Sequence, residues 1–103
     1  MGEATAMVVS DDDGARVTVW SFRPGEATGA HRHEMDYVVV PLTGGVFQVI
    51  EPSGARWELV QQRGLPYAGH VGVTHNVVSL GSGVRSFMEV ELKPAPTDLA
   101  VPR

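Results

Sequence analysis

Apolar and polar residues alternate along most of this chain, a period of two that belongs to strands burying one face. Val17, Val19 and Ser21 fall on one side of such a strand, and Arg16, Thr18, Trp20 and Phe22 on the other. Tyr37 to Leu42 is β-branched and nearly continuous, as in a strand covered on both faces. Pro41-Leu42-Thr43-Gly44-Gly45 then turns the chain into Val46–Ile50, and Pro52-Ser53-Gly54 turns it again before Arg56–Val60. Val73–Val78 and Val84–Leu92, separated by Leu80-Gly81-Ser82-Gly83, complete the set. No stretch carries a 3.6-residue period long enough for a helix. Short strands at close spacing with Gly and Pro between them predict an all-β fold, a double-sheet sandwich or barrel.

Length and composition narrow this picture. The 103 residues suit one domain, expected over 1–93, with 94–103 as a proline-rich arm that cannot be a central strand because proline lacks a ladder donor. A formal net charge of −4, with eight scattered basic residues, argues against a nucleic-acid surface, which needs clustered Lys and Arg. The Asp11-Asp12-Asp13 run before Gly14 reads as a solvated turn. The absence of cysteine removes disulfides, zinc–thiolate sites and thiol nucleophiles. The first residues lack the pattern of a secretory signal, and no apolar run approaches the roughly 20 residues that span a bilayer, so no membrane partner and a cytoplasmic location are expected.

The chemistry concentrates on histidine. His31 and His33, two residues apart in an extended segment, project side by side just before the apolar Val38–Val40 stretch. That stretch belongs deep in the sheet, so the imidazoles are expected to point into a cavity. An unpaired polar group there costs a few kcal/mol, and a shared divalent metal satisfies both rings. Imidazole sites take three or four protein ligands, and His75, on a later strand with Val73 and Val77 on its inward face, supplies a third.

These stretches resemble the two motifs of the cupin superfamily. Gly25, five residues, His31-Arg32-His33, three residues, Tyr37, six residues and Gly44 match the first motif, with Tyr37 where a glutamate is expected. Gly64, five residues, His70, Gly72, His75 and Ser79 match the second, with His70 in place of proline and Ser79 in place of asparagine. More narrowly, "HRHEMDYVVVPLT", "HNVV" and "FMEVELK" resemble small single-domain, RmlC-like cupins, some of which are labelled β-alanine degradation proteins. The resemblance implies a double-stranded β-helix, or jelly-roll barrel. It also implies His31, His33 and His75 as ligands of one divalent metal, which could be Fe, Mn, Ni, Cu or Zn. With tyrosine in place of the carboxylate ligand, three neutral imidazoles leave the ion's charge uncompensated and favour an anionic ligand. Some three-histidine cupins are iron-dependent dioxygenases.

The remaining residues leave alternatives open. Tyr37 has the direction to hydrogen-bond a metal-bound water or substrate, in a catalytic role, or it packs as an amphipathic side chain. Asp36 alternates to the opposite face and is expected in solvent or against a basic residue unless a bulge intervenes; His70 is expected at the rim. Trp20, Phe22, Phe47, Trp57 and Phe87 are expected in the core or packing on the sheets. Glu89 and Glu91 share a face with Arg85, which is expected to be an exposed or dimer surface rather than a pocket. Arg23, Arg32, Arg56 and Arg63 are unranked candidates for clamping an acidic substrate. Two functions fit: a metal-dependent enzyme, of oxygenase or Lewis-acid type, acting on a small organic acid or related metabolite; or a non-catalytic module that binds or senses a small molecule. A homodimer is expected in either case.

Overall fold

The computed structural model describes residues 2–94, so the proline-rich arm lies almost wholly outside the described residues. Nine strands form, and no helix appears among the described residues. They are β1 (Thr5–Asp11), β2 (Ala15–Phe22), β3 (His31–Arg32), β4 (Tyr37–Pro41), β5 (Gly45–Ile50), β6 (Arg56–Gln61), β7 (Tyr67–Gly69), β8 (Thr74–Ser79) and β9 (Arg85–Leu92). One sheet has the order β1-β2-β9-β4-β7 and the other β3-β8-β5-β6. All named strand pairs are antiparallel. The expected all-β double sheet is therefore present.

The strands take their burial from their place in this order. β4 is hydrogen-bonded on both edges, by β9 and β7, which explains the unbroken apolar run from Tyr37. Tyr37, Val39 and Pro41 face inward and are buried. In β2 the inward face is Arg16, Thr18, Trp20 and Phe22 rather than its more aliphatic side. Phe22, Phe47 and Phe87 interlock at centroid distances of 5.2–5.7 Å, closing one end of the space between the sheets. Trp57 departs from the core expectation. It lies on β6, at the edge of its sheet, is 47% exposed, and donates its indole N–H to Glu51.

The register of the five-stranded sheet sets up the site. Across β2, β9, β4 and β7, Arg16, Glu91, Tyr37 and Gly69 are in register. The next inward row is Thr18, Glu89, Val39 and Tyr67. Polar side chains thus occupy the end of the sandwich opposite the phenylalanine cluster.

Candidate metal centre

The three histidines meet because two of them are direct cross-strand partners. His31 on β3 pairs with His75 on β8, and opposed residues on an antiparallel ladder hold their Cβ atoms about 5 Å apart. His33 follows two residues on and keeps to the same face. Its backbone is tied to the segment leading into β8 by His33 N–H to Val73 O and Gly72 N–H to His33 O, both 2.8 Å. Gly72 adopts φ +93°, a left-handed conformation that lets the chain turn into β8 just ahead of His75.

The rings converge through their Nε2 atoms, with His31 to His33 and His33 to His75 both at 3.1 Å, and the ligand atoms of all three lie within 4.8 Å of one another. Two nitrogens about 2.1 Å from a shared ion lie roughly 3.0–3.4 Å apart for angles between octahedral and tetrahedral. The donor set fits a metal. The tautomers agree, since His31 Nδ1 sits 2.9 Å from the Gly29 carbonyl, which only accepts. The neutral ring therefore carries its proton on Nδ1 and leaves Nε2 as a bare lone pair. Gly29 is itself held, its N–H donating to Asn76 Oδ1 and its carbonyl accepting from the Thr28 hydroxyl. Burial, with the neighbouring imidazoles adding to it, depresses His33 and His75 to about 4 and keeps both neutral.

Tyr37 replaces the expected glutamate with an aromatic face. Its ring stacks on His33 at a centroid distance of 3.8 Å and an interplanar angle of 19°. It also lies over Gly69, where any Cβ would come within 2.0 Å of the Tyr37 ring. Burial, then the nearby Glu89 and Tyr67, push the Tyr37 phenol up to about 12, so it stays protonated and can donate.

Carboxylates come instead from β9, and this corrects the expectation of an exposed face. Glu89 and Glu91 are 9% and 7% exposed, because Phe87 anchors the same face of β9 in the core and the period of two carries both inward. The Arg16 guanidinium neutralises Glu91, with Nε 2.8 Å from its carboxylate. Burial, reinforced by Glu91, raises Glu89 to about 7. Glu89 lines a small inner cavity of about 30 Å³ together with Thr28, Tyr37, Tyr67 and the three histidines, and also an adjoining outer hollow of about 290 Å³ that it shares with His31, His33 and Arg16. Arg16 and Asn76 were not singled out in the sequence; their positions beside Glu91 and Gly29 depend on strand pairings that no local pattern reveals.

The other sequence candidates fall outside the cluster. Asp36 accepts from the Val71 N–H, and His70, 82% exposed, stands 3.9 Å from it. Val73 is exposed beside the site, although Val77 is buried as expected. Of the four arginines, Arg32 reaches the outer mouth of the site, Arg56 donates to Gln48, Arg23 lines a separate hollow beside Val84, and Arg63 is exposed in the turn after β6.

No family model matches the chain. A curated relative, the β-alanine degradation protein BauB of Pseudomonas aeruginosa, is 41% identical over 91 residues, which cover 88% of this chain and 95% of that protein. The crystal structure of a cupin domain from Bordetella pertussis superposes with a TM-score of 0.87 at 40% identity, covering 90% of this chain and 96% of that one. The polyketide cyclase RemF of Streptomyces resistomycificus shares the fold at a TM-score of 0.68 and 22% identity, covering 91% of this chain and 68% of that one. The two-sheet barrel, the histidines meeting inside it and near full-length similarity to both of the closer proteins place this chain in the cupin superfamily.

Proposed function

We propose that this protein binds one divalent metal through His31, His33 and His75 and acts, as a metal-dependent enzyme, on a small organic acid or related metabolite. The observation that carries the proposal is the convergence of three imidazole Nε2 atoms, one of them committed to being a lone pair by the Gly29 carbonyl. The name of the BauB relative, which refers to β-alanine degradation, is consistent with a small carboxylate as substrate. When bound, a metal at such a site supplies Lewis acidity and, if it is iron, a place to bring dioxygen and substrate together.

The side chains around it have separable tasks. Tyr37 buttresses His33 by stacking and presents a protonated phenol to the cavity. Val39, Leu59, Val77 and Phe87 line the same cavity with apolar surface and limit water around a bound ligand. The ligand reaches them through an outer hollow bounded by Ala6, Val8, Trp20 and Arg32, which shares His31, His33 and Glu89 with the inner cavity.

Two measurements test the proposal. His75→Ala is expected to lower metal content sharply and His70→Ala to leave it unchanged; equal loss in both overturns the ligand assignment. Oxygen uptake or product formation by the metal-loaded protein is expected to fall at least tenfold in Tyr37→Phe. Tight ligand binding without turnover across several metals replaces the enzyme with a non-catalytic binding or sensing module. Self-association as a homodimer belongs to the same proposal. Its support is β1, an edge strand whose seven residues are all exposed, Met7, Val8 and Val9 among them.

A further inference from the structure

The cavity has two chemically different walls. One carries the three imidazoles, on β8 and on β3 and the residue that follows it; the other, from the five-stranded sheet, carries Tyr37, Tyr67 and Glu89. The Tyr67 hydroxyl is engaged by the Gln61 amide at 2.9 Å, and Tyr37 is packed against His33 and Gly69. Glu89 differs from both. It is nine-tenths buried, faces the cavity, and forms no ion pair among the described residues.

Its neighbour shows what that means. Glu91, two residues on and facing the same way, has the Arg16 guanidinium directly on its carboxylate. In register with Glu89 stand Thr18, Val39 and Tyr67, none of which carries a positive charge. The Trp20 indole N–H donates to Glu89, and the nearby Arg16 guanidinium, which also favours its ionised form, is in direct contact with Glu91 instead. A buried carboxylate without its own cation is costly. The cost is offset when a bound molecule brings the cation.

We infer that Glu89 determines ligand specificity: it receives the ammonium group of a small amino acid whose carboxylate is directed to the histidine side of the cavity. The inference rests on the proposed metal site, because three neutral imidazoles leave the charge of a divalent ion to be met by an anion, and Glu89 then selects the anions that also carry a cation. Recognition is by pairing at both ends of the molecule, and Tyr37 and Tyr67 flank the ammonium-binding end. A simple fatty acid of the same length satisfies only the imidazole side and brings Glu89 no cation.

The test uses the metal-loaded protein and calorimetric titration with three amino acids, glycine, β-alanine and 4-aminobutyrate, against acetate, propionate and butyrate. At least one amino acid is expected to bind ten times more tightly than its amine-free counterpart. Glu89→Gln is expected to bring that ratio close to one, with metal content and affinity for the amine-free acid unchanged. Equal binding of each pair by the wild type, no binding of any amino acid, or a preference that survives Glu89→Gln overturns the inference. Metal content, measured on the same samples, separates this failure from that of the metal site: a protein that holds no metal contradicts the site itself, whereas a loaded protein indifferent to the amine contradicts only the role of Glu89.

Discussion

Glu89 is the residue at which fold and chemistry pull in opposite directions. Period two and the Phe87 anchor carry it inward, and burial raises it from 4.5 to about 7. A carboxyl that holds its proton more tightly folded than unfolded binds more protons in the native state between those values. Its contribution is fully present below pH 4.5 and is lost as pH rises through 7. Glu89→Gln imitates the protonated form, so in chelator-treated protein it is expected to change stability little at pH 5 and to raise it by roughly 2–3 kcal/mol at pH 8. Urea unfolding of both proteins at the two pH values checks this. His33 and His75, depressed to about 4, work the other way, losing stability as pH falls from 6.5 toward 4. They are common to both proteins and cancel in the comparison. A variant that is destabilised at pH 8 would show that the ionised carboxylate has a partner.

At the scale of elements, the site depends on strand pairing more than on any single strand. The ladder that sets His31 opposite His75 makes a ligand pair out of residues 44 positions apart, and the Tyr37–Gly69 pair makes room for the ring that supports His33. Gly69→Ala is expected to cost about 1–3 kcal/mol, because the new methyl meets the Tyr37 ring and pushes it against His33. The same change in a Tyr37→Ala background is expected to cost much less, and a thermal-denaturation double-mutant cycle reads the difference. Equal costs in both backgrounds would place the strain elsewhere.

The same distinction explains what the sequence revealed. His-x-His on one face, an apolar β4 and a glycine before β8 are local patterns, and they were legible. Sheet order was not. An exposed Trp57 and a buried Glu89 differ because β6 ends its sheet whereas β9 lies at the centre of the other. Phe87 and the period of two held the signal for Glu89 and Glu91, but two acidic residues in a strand read more simply as a solvated face. β7 is three residues long and β1 has no buried side, so neither gives a clear alternation.

For the whole molecule, the β-sandwich is finished at the site and open at β1. Among the described residues that strand pairs only with β2, and its other backbone edge is unpaired. An antiparallel copy of β1 would satisfy that edge by a two-fold axis, burying Met7, Val8 and Val9. Light scattering is expected to give twice the 11.0 kDa chain mass, with Val8→Lys shifting the protein toward monomer. A wild-type monomer at all concentrations would remove the homodimer from the proposal. No helix among the described residues is long and apolar enough to cross a membrane.

Three imidazoles brought to one point are the feature from which the rest follows. Anomalous scattering from crystals of the metal-loaded protein tests that directly. A single peak about 2.1 Å from the Nε2 atoms of His31, His33 and His75 is the predicted result. A peak elsewhere, or three rings turned apart with no peak between them, would contradict it.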